Sequence, residues 1–221
     1  MTKLDKKQFV REMLDAAGVA PEDEPAGIFM AGLPGAGKTE LSRNLIVDSG
    51  VSLLRIDMDE IAERIPGYEA GRADEYRKQA TTLLSELFSY AIHHRLSFVM
   101  DGTFGSKSAG QNIERCLRRG YIMKIVYAYQ DPRLAWEFTL AREKIERRAI
   151  KFEGFVEAYY KTLANIKVIG EKYGDRITLD IAVKNPDNRV GEWLRNVSAA
   201  EIDKKLAVQY NKDKLIKYIL G

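Results

Sequence analysis

Eight residues, Gly32-Leu33-Pro34-Gly35-Ala36-Gly37-Lys38-Thr39, constrain this chain more than any other stretch. They match the pattern G-x-x-x-x-G-K-[ST] at every fixed position. Gly27 to Ala31 in front reads as a short buried strand. Thr39 to Val47 behind reads as a helix with Leu41, Leu45 and Ile46 on one face. A loop in that setting wraps phosphates with backbone N–H groups. Its glycines let the backbone curl in without a Cβ in the way, and the helix aims its positive N-terminal end at the anion. Lys38 then reaches the β- and γ-phosphates, and Thr39 offers its hydroxyl to Mg²⁺. Residues 32–39 together predict a nucleoside triphosphate site.

The flanking pattern predicts the architecture. Amphipathic spacing of Phe9, Val10, Met13, Leu14 and Ala17 predicts a helix over residues 5–17, stopped by Gly18. Strands are expected at 51–56, 96–100, 121–129 and 176–183. Helices are expected around Ile61, over 73–94, over 111–119, from Asp131-Pro132 onward, and over 155–173. This alternation predicts a doubly wound parallel sheet of α/β class with helices on both faces. With 221 residues the chain is expected to form one domain. Its parts are an N-terminal helix and connector (1–25), a core (26–185) and C-terminal helices (186–221).

Ligands of such sheets lie beyond the carboxyl ends of the strands. Asp57 and Asp59 follow the second expected strand, and Asp101 and Thr103 follow the third. Phosphoryl transfer to a hydroxyl needs metal ligands, a base and positive charge on the migrating group. Asp59, further past the strand, is better placed to serve an acceptor as base, and Asp57 to orient metal-bound water. The plainer alternative is that Asp57 ends a strand and Asp59 caps a short helix. Asp101 fits either a metal-side carboxylate or an acceptor-binding one. Arg142, Arg147 and Arg148 read either as a lid over the phosphates or as a solvated helix face. Arg142 and Arg148 lie roughly 120° apart around a continuous helix, so both reach one phosphate only if the helix ends or bends near Arg147.

Other features exclude functions. Cys116 is the only cysteine, which rules out a disulfide framework and a cysteine-based metal site, and burial in a helix is its expected role. His93 and His94 have no ligand spacing around them and read as helix-end residues. A net charge of +3 is too balanced to argue for nucleic acid by itself, and basic residues clustered mainly at the expected lid argue mildly against it. The first 25 residues are charged and broken by Pro and Gly, unlike a signal peptide. No run approaches the ~20 apolar residues of a membrane span, so the expected compartment is the cytoplasm.

The chain resembles the zeta toxin family of P-loop kinases. The carriers are the loop Gly32 to Thr39, Asp57-Met58-Asp59, Asp101-Gly102-Thr103, Gly120-Tyr121, and Arg142 with Arg148, in the family's order. The resemblance implies an ATP- and Mg²⁺-dependent kinase that phosphorylates the sugar 3′-hydroxyl of UDP-N-acetylglucosamine and is restrained by a protein antitoxin. It implies Lys38 and Thr39 as phosphate and Mg²⁺ ligands, Asp59 as base, Arg142 and Arg148 on the transferring phosphoryl, and Glu86 and Thr103 as acceptor contacts. Two departures touch the acceptor. Asp101 stands where the family typically has Glu, and Phe104-Gly105-Ser106-Lys107 stands where it often has an Arg. Two other readings compete: a housekeeping kinase of small molecules or nucleic-acid 5′-hydroxyls, and a non-catalytic nucleotide switch.

Overall fold

The protein is described from a computed structural model that covers residues 5–146, 149–206 and 210–221. One sheet takes the order β2-β3-β1-β4-β5-β6. Its strands are β1 (Ala26–Ala31), β2 (Leu54–Asp57), β3 (Phe98–Asp101), β4 (Ile122–Tyr129), β5 (Ile177–Lys184) and β6 (Val190–Leu194). The first five run parallel, and β6 is antiparallel on β5. Around them lie α1 (Lys6–Ala17), α2 (Lys38–Ser49), α3 (Met58–Glu63), α4 (Ala73–His93), α5 (Ala109–Leu117), α6 (Pro132–Glu146), α7 (Phe152–Tyr173), α8 (Ile202–Lys205) and α9 (Lys212–Leu220). Phe29, Phe88 and Phe98 meet edge-to-face at the centre, joining β1, α4 and β3.

The elements start and stop for local reasons. Asp5 caps α1 by accepting from the N–H groups of Lys7 and Gln8, and Gly18 ends it at φ 59°. Asp131 caps α6 in the same way, through Arg133 and Leu134. Strand β2 starts later than the expected Val51, which is exposed, because burial begins only at Leu53 and Leu54. Cys116 is buried as expected, and burial pushes its thiol up to about 12. Trp136 packs edge-to-face on Phe152 and Phe155, joining α6 to α7.

The expectation of helices alone after residue 186 is corrected by β6. The turn Asn185-Pro186-Asp187-Asn188 does not release the chain from the sheet. It folds it back, with Ile181 opposite Leu194 and Ala182 opposite Trp193. As an edge strand with one open side, β6 carries only half-buried and exposed residues and so lacks the apolar run of a central strand.

Asp180 in β5 fastens this edge. It is buried, and it accepts from Lys124 Nζ at 3.0 Å, Arg195 Nη1 at 2.9 Å and the Asn196 N–H at 2.9 Å. Burial alone would push its carboxyl up, but these three donors outweigh burial and hold it below the ordinary value. Its stabilisation is therefore full above the unfolded carboxylate value of ~3.9 and lost as pH falls through the lower folded value. Asp180→Ala is expected to cost about 2–3 kcal/mol near pH 7 by urea melts, with the gap to wild type closing in acid. An equal gap at pH 3 and pH 7 would contradict the charge-based account.

Candidate active site

The phosphate loop spans the carboxyl end of β1 and the first turn of α2. Gly32, Gly35 and Gly37 take φ 144°, 76° and 70°. A Cβ at Gly35 would meet the Ala135 carbonyl oxygen at 2.1 Å, and one at Gly32 the Ala128 carbonyl oxygen at 2.6 Å. Only glycine fits at these two positions, so the backbone keeps the concave course that an anion needs. Leu33 and Ala36 are buried and anchor the loop, while Pro34 is half-buried. Lys38 Nζ donates to the Leu33 carbonyl at 2.6 Å, so the side chain curls over its own loop. Burial pushes its ammonium down to about 8, with Arg142 adding to the effect and Asp101, Asp57 and Asp59 opposing it. An arriving polyphosphate would restore the missing negative charge.

Two parallel strands bring the aspartates together. Asp57 and Asp101 are register partners at the ends of β2 and β3. Residues two apart on a strand share a face, so Arg55 lies on the same face as Asp57. Its Nη2 donates to Asp57 Oδ2 and to Asp101 Oδ2, both at 2.6 Å, and its Nη1 pairs with Glu60. Ser42, one turn beyond Thr39 in α2, donates its hydroxyl to Asp101 Oδ2 at 2.9 Å and accepts from Arg55 Nε at 3.2 Å. Burial and the Asp101 charge push the Asp57 carboxyl up to about 6, against the pull of Arg55.

Asp57 also caps α3, accepting from the N–H groups of Asp59 and Glu60 at 2.7 and 3.3 Å. The cap is thus Asp57, not Asp59. Asp59 stands in the first turn of α3, where two clefts meet. A cleft of about 300 Å³ is lined by Thr39, Arg55, Asp57, Asp59, Tyr68 and Arg142 among others. A second, of about 460 Å³ between α3 and the start of α4, includes Asp59, Tyr68, Arg72, Arg77 and Thr81. Asp59, Tyr68 and Ala70 belong to both.

The expected site residues divide accordingly. Lys38, Thr39, Asp57, Asp59, Asp101 and Arg142 come together at one end of the sheet. Thr103 lies beside the phosphate loop, its carbonyl accepting from the Gly32 N–H at 3.3 Å and from Thr162 Oγ1 at 2.7 Å. Glu86 is placed elsewhere: it pairs with Lys6 at 2.9 Å and lines a groove between α1 and α4. Five residues at 100° each put it roughly 140° around α4 from Thr81, so the acceptor contact expected of Glu86 has no support in this geometry. Arg147 and Arg148 lie outside the described residues. Residues 149–151 are not helical and α7 begins at Phe152, so the helix carrying Arg142 does not run on into α7. Phe104, one of the departures, is a core anchor: it is buried at φ 63°, edge-to-face on Phe29, with its carbonyl accepting from Asn165.

Sequence reasoning missed Arg55, Ser42 and the β5–β6 turn. That turn supports the phosphate loop from outside. Asn188 Nδ2 donates to the Gly35 carbonyl at 3.3 Å, Lys184 Nζ to the Asn188 carbonyl at 3.0 Å, and Gln130 Nε2 to the Asn185 carbonyl at 2.9 Å. A basic residue two before a strand-end Asp was the one available signal for Arg55.

A phosphate loop after the first strand of a parallel sheet, with paired aspartates at two neighbouring strand ends, defines the class: a P-loop kinase. The zeta toxin family model matches residues 11–198, and the chain belongs to the zeta toxin family. No curated protein matches it in sequence. In structure it is similar to a protein of the PezAT chromosomal toxin-antitoxin system of Streptococcus pneumoniae, with TM-score 0.72, 18% identity and 100% of both chains covered. A chain of the AvrRxo1-ORF1:-ORF2 complex aligns with TM-score 0.62 and 13% identity, over 91% of this chain and 68% of that one. A chain of the Pnkp1/Rnl/Hen1 RNA repair complex aligns with TM-score 0.52 and 13% identity, over 86% of this chain and 52% of that one. At such identities these three likenesses speak for the fold. Among the described residues no helix is long and apolar enough to cross a membrane.

Proposed function

We propose that this chain transfers the γ-phosphoryl group of ATP to a hydroxyl of a small acceptor, a nucleotide sugar such as UDP-N-acetylglucosamine, and that it acts as a toxin held in check by a protein antitoxin. The observation that carries the reading is the position of Asp59, shared by the cleft beside the phosphate loop and the adjoining cleft. A base must touch the acceptor hydroxyl while facing the donor phosphate, and a shared wall residue meets both demands. The second cleft is within the range of small-ligand sites; Arg72 and Arg77 on its wall pair with Glu75 and Asp74, so a diphosphate would have to replace these exposed carboxylates as their partner. Family membership and the toxin-antitoxin origin of the PezAT relative support the toxin role and the antitoxin.

The donor set fits the groups this chemistry requires. The loop is a cradle that a Cβ would fill, and Thr39, Asp57 and Asp101 offer the hard oxygens that suit Mg²⁺. Mg²⁺, when bound, neutralises phosphate charge and orients the transferring group. Lys38 holds the phosphate oxygens, and Arg142 meets the charge that develops on the migrating phosphoryl, with Arg148 as a second lid residue. Asp59 accepts the proton from the acceptor hydroxyl. Asp101 is buried, and its Oδ2 is taken up by Ser42 and Arg55, which favours the metal side over the acceptor side. Thr103 supports the loop through its carbonyl.

Incubation with γ-labelled ATP and a panel of UDP-sugars, nucleosides, NAD and RNA is the test. Label is expected on a nucleotide sugar. Label on RNA or on a nucleoside instead would overturn the acceptor assignment, and no transfer to any acceptor would overturn the kinase reading.

A further inference from the structure

We propose that Arg55 is a built-in counter-cation that makes divalent-metal entry depend on the nucleotide. The inference rests on the reading of Asp57 and Asp101 as metal-side carboxylates. Three carboxylates, Asp57, Asp101 and Glu60, surround this one guanidinium. The side chains of Arg55 and Asp101 are only 9% and 4% exposed, so water screens the group poorly. Each side-chain nitrogen of Arg55 is directed at this site: Nε at Ser42, Nη1 at Glu60, and Nη2 at the two aspartates.

Without Arg55, the ends of β2 and β3 would present a cluster of carboxylates, a ready site for a free divalent cation. With Arg55 in place, one of those three negative charges is offset, and the carboxylate oxygens that face it are already engaged. A free cation then gains less by entering, because it must displace the guanidinium from those oxygens. A cation that arrives with a triphosphate brings its own anionic ligands and needs only water-mediated help from the protein, as Mg²⁺ sites at phosphates generally do. Thr39 stands on the same cleft wall, at the phosphate loop, and offers a hydroxyl oxygen there. Arg55 is thus a positioning residue. It fixes the two aspartates and offsets their charge without touching the reacting atoms.

Mn²⁺ binding to the full chain, followed by electron paramagnetic resonance, tests this. The wild type is expected to bind Mn²⁺ weakly alone and tightly with a non-hydrolysable ATP analogue. Arg55→Gln keeps hydrogen-bond donors but loses the charge, and is expected to bind Mn²⁺ without nucleotide on the order of ten- to a hundred-fold more tightly than wild type. Arg55→Lys keeps the charge and is expected to show no such gain. A merely structural role would weaken metal binding in the Gln variant or leave it unchanged, and either result overturns the proposal. Should the Gln variant fold poorly without metal, Mn²⁺ is expected to restore its folded circular-dichroism signal by binding the folded state alone, and no response to Mn²⁺ would be equally fatal. A wild type that binds Mn²⁺ tightly without nucleotide also overturns it. A wild type that binds no Mn²⁺ even with the analogue overturns the underlying metal-side assignment, and is told apart from the other failures by that control.

Discussion

Alanine at Lys38 is expected to lower phosphoryl transfer by on the order of 10³-fold or more, in line with the loss of a pre-placed charge at a developing anion. The side chain already lies over its own loop, donating to the Leu33 carbonyl, so little ordering is needed for it to meet phosphate. Burial and Arg142 hold its ammonium near 8 against three aspartates. A polyanion entering the loop therefore meets a cation that gains from its arrival, and the alanine variant loses donor affinity together with rate. Turnover of labelled ATP with a fixed acceptor measures the rate, and calorimetry measures ATP binding. Normal turnover in Lys38→Ala would remove the kinase reading altogether.

Asp59→Asn is expected to separate binding from chemistry. Loss of a positioned base costs roughly 10²–10⁴-fold in rate, while ATP affinity is expected to stay within a few-fold of wild type. Asp57 supplies the cap of α3, which the asparagine at 59 leaves intact. A variant that binds ATP but transfers nothing places the base at Asp59. Expression in a bacterial host adds a second measure: wild type is expected to arrest growth, and Asp59→Asn to be tolerated. Near wild-type rates in the variant would reduce Asp59 to an ordinary first-turn residue of a short helix.

The parts of this site visible in the sequence are those with a local signature. The phosphate loop is legible because its glycines, lysine and threonine act within eight contiguous residues, between a strand and a helix that show their own periods. Asp57 and Asp101 are legible because an acid after an apolar run marks a strand end. Their partnership is not, since it depends on β2 lying beside β3, a register set by the whole sheet. Arg55 is hidden for the same reason: inside a four-residue strand, a charged residue between Leu54 and Ile56 reads as solvent-facing. Strand β6 is hidden because Asn-Pro-Asp-Asn marks a turn without saying where the chain goes next. Glu86 is the reverse case: the resemblance implies an acceptor contact there, and the structure pairs its side chain with Lys6 of α1.

The contact between Asn188 and Gly35 has a consequence for the newly made chain. It joins residues 153 positions apart, so the phosphate loop leaves the ribosome long before its last support is synthesised. At about 5–20 residues per second, that gap lasts on the order of ten to thirty seconds. Through that interval the nascent chain carries a nucleotide cradle braced on one side only. The loop thus gains this support only after the chain has been made as far as Asn188.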